Sequence, residues 1–152
     1  MNLRELLTRE RIATNVQVDH WEDAVRAVGR LMVDTGAVEE RYIDGMINTA
    51  KELGPYIVIA PGLALPHSRP EHGVLEPCMA LITLEPPTEF GNPDNDPVDL
   101  VIAFGAVDNE QHVEALRDMA TILSEPSNLD ALRAADTEEE ILKVMWSVPS
   151  PD

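Results

Sequence analysis

The chain has 152 residues, with 28 Asp and Glu against 11 Lys and Arg, a formal net charge of -17, and 44% hydrophobic residues. That length suits one domain spanning 1–152 with a substantial core. The charge excludes a general binder of nucleic acid or of anionic membrane, since the field repels both. It is compatible with a basic protein partner, although general solubility accounts for it equally well. A single cysteine, Cys78, excludes an internal disulfide framework and any multi-cysteine metal site. Lying in the apolar run Cys78-Met79-Ala80-Leu81-Ile82, it reads as a small buried hydrophobe. No basic-then-apolar leader opens the chain and no apolar run approaches the length of a membrane span, so the expected location is the reducing cytoplasm.

In chain order, Leu3, Leu6 and Leu7 predict a short helix, and residues 12–18 an extended edge segment. Asp19 and Glu22 have capping-box spacing ahead of Trp21, Ala24, Val25, Val28, Leu31 and Met32, which recur at helical intervals until Gly36. A second amphipathic helix is expected from about Glu39 to Leu53, closed by Gly54-Pro55. Its Lys51 lies in the last turn, where the helix dipole favours a cation.

Ile57 to Ile59 is the first strand expected inside the sheet, followed by Cys78 to Leu84 and Val98 to Phe104. Glu85 to Pro97, rich in proline, predicts an irregular exposed connection. Asp108 and Gln111 have cap spacing before a helix reaching about Ser124, with Val113, Leu116, Met119, Ala120 and Leu123 facing inward. Pro126 starts a short helix, and Thr137 with Glu140 begins the last one. Helices and strands interspersed in this way predict an α/β or α+β layered sandwich around one sheet. The helix-free link between the second and third strands makes an antiparallel pair, and hence a mixed sheet, a natural outcome.

The chemistry concentrates in Leu63-Ala64-Leu65-Pro66-His67-Ser68-Arg69-Pro70, where two prolines restrict the backbone around a histidine and an arginine. A nucleophilic imidazole needs one nitrogen free and its tautomer fixed through the other, with donors to balance an incoming phosphoryl group. His67 on this loop, with Arg69, Lys51 or His112 as donors, meets that description. His112 falls in the first turn of the helix capped by Asp108, a position that favours anions. His20 reads as a surface residue. His67, His72 and His112 make a metal trio by count alone, without the helical spacing of a zinc site. Ser68 lacks a nucleophile-elbow context, and no phosphate-binding glycine loop is present.

The run from Leu63 to Pro70 resembles the phosphorylation motif of bacterial phosphotransferase-system enzyme IIA domains of the mannitol/fructose type. The longer stretch from Gly54-Pro55-Tyr56-Ile57 to Glu71-His72-Gly73-Val74 is most similar to the ascorbate-type branch. The resemblance implies a mixed β-sheet flanked by helices on both faces, a three-layer sandwich. It also implies that His67 takes a phosphoryl group from the phosphocarrier protein HPr and passes it to an enzyme IIB component. A membrane enzyme IIC would then couple the relay to uptake of ascorbate or a related sugar or polyol. Under it, His112 supports the phosphohistidine. An ungapped count back from His67 puts Lys51 where mannitol-type members carry an active-site arginine. Lysine offers a mobile point charge in place of a planar fork, so Arg69 is the alternative phosphoryl-stabilising residue. No cofactor and no metal are implied, and a homodimer stays open. Two other readings stay open as well: a regulatory protein of this fold switched by phosphorylation of His67, and a metal-dependent hydrolase using the three histidines.

Overall fold

The computed structural model describes residues 3–107 and 113–147. Its helices are α1 (Leu3–Leu6), α2 (Trp21–Asp34), α3 (Arg41–Leu53), α4 (Val113–Leu123), α5 (Pro126–Ala134) and α6 (Glu138–Met145). Its strands are β1 (Ile12–Val16), β2 (Val58–Ala60), β3 (Leu63–Ala64), β4 (Cys78–Thr88) and β5 (Val98–Gly105). The strands form one sheet in the order β1-β4-β5-β3-β2. The long central pair β4 and β5 is antiparallel, β1 runs parallel to β4, β3 parallel to β5, and β2 antiparallel to β3. The sheet is therefore mixed, as expected.

Side chains alternate across a strand, and β4 shows why both faces must be covered. Ala80 and Ile82 join the core beneath α2 and α3, with Val25, Met32, Tyr42 and Met46. Met79 and Leu81 join the opposite core beneath α1, α4 and α6, with Leu6, Met119 and Ile141. Two apolar faces on one sheet give the three-layer α/β/α sandwich. Cys78 is buried, and burial pushes its thiol up to about 12, so it behaves as a hydrophobe. Among the described residues no helix is long and apolar enough to cross a membrane.

Several local expectations need correction. β4 continues through Pro86 and Pro87 to Thr88, so regular structure invades the predicted 85–97 loop. The prolines are tolerated because β4 threads Leu84 to Pro87 past Asp99 alone, between the pairs Thr83↔Leu100 and Thr88↔Val98. A bulge of that kind requires no ladder donor from proline. The strand expected at 57–59 is an edge strand one residue later, preceded by a 3-10 turn at Pro55–Ile57. Helix α2 is capped by His20 without a side-chain hydrogen bond, so the Asp19 box is not formed; His20 itself is exposed. On α4 the buried residues are Ala115, Met119 and Ile122, a face rotated from the predicted one, with Val113 exposed. The Asp108–Gln111 cap lies outside the described residues. By contrast, Pro126 opens α5, and the Thr137 hydroxyl accepts from the Glu140 N–H at the start of α6.

The fold positions one loop with care. Because β3 and β5 are parallel, their carboxyl ends leave the sheet on the same side. The chain after β3 is then held against α3 and closed by a 3-10 turn at Pro70–His72. Its far end is tied down where the Glu39 N–H donates to the Gly73 carbonyl at 2.7 Å and the Leu75 N–H to the Ala37 carbonyl at 2.9 Å. Helix α3 reaches the loop through Gly45. A Cβ there would stand 3.0 Å from the His72 Cβ, 3.2 Å from its Nδ1 and 3.2 Å from the Ser68 Oγ.

Alanine at position 45 gains about 1 kcal/mol in helix propensity but overpacks this contact at a typical cost of about 1–3 kcal/mol. We predict that Gly45→Ala lowers the urea midpoint with an unchanged slope. A raised midpoint would show that the loop gives way to the added methyl and is not packed as described.

Candidate functional site

His67 follows a stretch that is still engaged with the sheet. The Leu65 N–H donates to the Ile57 carbonyl at 2.7 Å and the Phe104 N–H to the Pro66 carbonyl at 3.4 Å. These bonds leave the Leu65 carbonyl turned toward the histidine ring. His67 Nδ1 lies 2.9 Å from that oxygen. A carbonyl only accepts, so in the neutral ring the proton sits on Nδ1 and the lone pair on Nε2. The imidazole stacks on Phe104, with ring centroids 5.0 Å apart and planes 12° from parallel. One hydrogen bond and one aromatic face thus restrain both the rotation and the tautomer of a half-buried ring.

The ring borders a depression of about 650 Å³. His67, Arg69 and His72 line it from the loop, and Thr49, Glu52 and Leu53 from α3. Arg69 is exposed, and among the described residues its side chain makes no ion pair. It brings a permanent positive charge to the same surface as the histidine.

Lys51 does not share that surface. It borders a separate depression with Trp21, Phe90 and Gly91. The reason is helical geometry: at 3.6 residues per turn, position 51 is rotated about 200° from position 49. Counting residues along the sequence matched its position, and the structure sets it on the depression next to the one that His67 borders. His112 lies outside the described residues. Among the described residues no cluster of His, Cys, Asp or Glu is arranged to hold a metal ion; the trio with His112 therefore lies beyond them.

Two contributors to the site, Phe104 and Tyr42, were not singled out in the sequence, and Ser68 was weighed there only as a nucleophile. Phe104 supplies the stacking face. Tyr42, on the buried face of α3, is itself fully buried, yet its hydroxyl donates to the Phe104 carbonyl at 2.9 Å and accepts from the Ser68 N–H at 3.0 Å. Burial pushes its phenol upward, so it stays protonated and keeps that donor. Ser68 completes the arrangement: its hydroxyl pairs with Thr49 Oγ1 at 3.0 Å and with His72 Nδ1. The available signal for Tyr42 was that a buried tyrosine hydroxyl needs a partner.

Comparison with known proteins bears on this geometry. Residues 5–147 match the family described as phosphoenolpyruvate-dependent sugar phosphotransferase system, EIIA 2. The ascorbate-specific PTS system EIIA component of Escherichia coli (strain K12) is 40% identical over 147 residues, covering 95% of this chain and 96% of that protein. Among solved structures, a PTS IIA from Streptococcus mutans superposes with a TM-score of 0.87 at 28% identity, covering 96% of this chain and 94% of its own. The mannitol-specific cryptic phosphotransferase enzyme IIA of Escherichia coli gives 0.85 at 29% identity, covering 95% and 98%. With a family match spanning nearly its whole length and a relative this similar, the chain belongs to the EIIA 2 family of the phosphoenolpyruvate-dependent sugar phosphotransferase system.

Proposed function

We propose that this chain works in the cytoplasm as a histidine phosphoryl carrier, with His67 as the group that is transiently phosphorylated. The observation that carries this reading is the pairing of His67 Nδ1 with the Leu65 carbonyl beside an open depression. The donor is the phosphohistidine of HPr. The lone pair on His67 Nε2 attacks phosphorus, the phosphorus–nitrogen bond in HPr breaks, and the donor imidazole leaves with the bonding pair. Nδ1 keeps its proton throughout. The phosphorylated ring takes on cationic character, and the Leu65 carbonyl dipole faces the N–H that shares it. Arg69 balances the three phosphoryl oxygens from the loop side.

Onward transfer reverses these steps, with a nucleophile on enzyme IIB attacking the phosphorus and His67 regaining its lone pair. Enzyme IIC then uses the relay for uptake. The ascorbate-specific relatives support ascorbate, or a closely related sugar acid, as the transported substrate. In this scheme His112 is the second imidazole near the phosphoryl group, and the chain itself contacts proteins and a phosphoryl group but no sugar, metal or nucleic acid. Whether two copies associate is a separate question that the relay does not depend on.

Labelling by phosphorylated HPr tests the reading. Wild type should acquire acid-labile phosphate and His67→Ala none. Removing a transition-state donor typically costs about 10²-fold or more, so Arg69→Ala should slow transfer by about that factor. Lys51→Ala should stay close to wild type. Acid-labile phosphate on His67→Ala defeats the assignment of the carrier, and a large loss in Lys51→Ala defeats the division of labour between the two cations. Phosphate that enters but cannot be chased onto any enzyme IIB would favour the regulatory reading instead.

A further inference from the structure

Ser68, the residue directly after His67, has every polar atom engaged. Its N–H donates to the Tyr42 hydroxyl at 3.0 Å. Its carbonyl oxygen lies 3.2 Å from the same hydroxyl. Its own hydroxyl bonds Thr49 Oγ1 at 3.0 Å and His72 Nδ1. The Tyr42 proton goes chiefly to Phe104, whose carbonyl is nearer at 2.9 Å and whose ring lies against His67. One buried hydroxyl therefore joins the peptide that follows the histidine to the residue that supports its ring.

The sequence places these anchors on a single stripe of α3. Tyr42, Gly45 and Thr49 follow one another at helical intervals of three and four. The middle one lacks a side chain, and that gap is where His72 and Ser68 approach. The anchors hold residue 68 from two directions, the backbone by Tyr42 and the side chain by Thr49 and His72. On the other side of the histidine, Pro66 is buried and its carbonyl is bonded to Phe104. His67 thus sits between two neighbours that are both fixed.

We propose that Tyr42 and His72 are positioning residues for phosphoryl transfer. By fixing Ser68 they set the orientation of His67, keep Nδ1 on the Leu65 carbonyl and leave Nε2 facing the depression. The proposal rests on His67 being the phosphoryl carrier. It goes further by assigning work to two side chains that need not touch the phosphoryl group. A misplacement of about 1 Å can cost about 10²-fold in rate, so small losses of restraint at residue 68 have a measurable effect. Asparagine can place an amide oxygen or nitrogen near the position of His72 Nδ1 and exchange donor for acceptor as Ser68 requires.

The test measures transfer from phosphorylated HPr to the full chain, together with the imidazole nitrogen chemical shifts of His67 in the unphosphorylated protein. Tyr42→Phe and His72→Ala should each lower the saturated transfer rate by about 10- to 100-fold with little change in the half-saturating HPr concentration. Both should move the His67 ring from a single tautomer toward a mixture, and His72→Asn should recover most of the rate. Should Tyr42→Phe fail to fold, the half-buried His72 pair still decides the matter. Wild-type rates and shifts in the variants, with wild type labelled on His67, overturn this proposal alone. Slower transfer with an unaltered His67 tautomer overturns it too, because that is what a merely structural role produces. A wild type that takes no phosphate overturns the carrier reading and this proposal together.

Discussion

An imidazole is a directed nucleophile only when one nitrogen is committed elsewhere, and here the Leu65 carbonyl makes that commitment. The bond from His67 Nδ1 spans just two residues, so it depends on the backbone of the loop and not on a distant side chain. A loop free to relax would let the Leu65 carbonyl turn to water and the ring exchange tautomers. The rest of the structure serves to prevent that. Leu65 is tied to Ile57, Pro66 to Phe104 and Ser68 to Tyr42, which leaves few torsions free near the histidine.

That rigidity originates in the sheet. Parallel alignment of β3 with β5 delivers the histidine loop and the Phe104 ring to the same side, and two covered faces hold both strands in place. Electrostatics completes the design. A chain with a net charge of -17 is a poor general receptor for a phosphoryl group. Local chemistry must therefore oppose the overall field, and Arg69 on the rim supplies a fixed positive charge where the field most needs offsetting. The remaining negative surface is then suited to basic protein faces rather than to small anions.

Much of this was legible in the chain because it is locally encoded. The helical repeats of α2 and α3, the proline start of α5 and the threonine cap of α6 are short-range signals that tertiary structure did not override. What escaped was set by contacts distant in sequence. Strand β3 is only Leu63–Ala64, too short to show a period, and exists because β5 and β2 flank it. The prolines of β4 looked like strand breakers until the bulge opposite Asp99 removed the need for their donors. Lys51 could be matched by counting, yet its direction depends on helical phase, which turned it toward Trp21 and Phe90. Tyr42 carried an apolar signal that was correct for its ring and silent about its hydroxyl.

The most direct measurement is to phosphorylate the protein carrying nitrogen-15-labelled histidine and read which ring nitrogen couples to phosphorus. The Leu65 hydrogen bond predicts phosphorus on Nε2 of His67, with Nδ1 still protonated. Phosphorus on Nδ1 would mean that the carbonyl does not hold that nitrogen during transfer, and would contradict the account at its base.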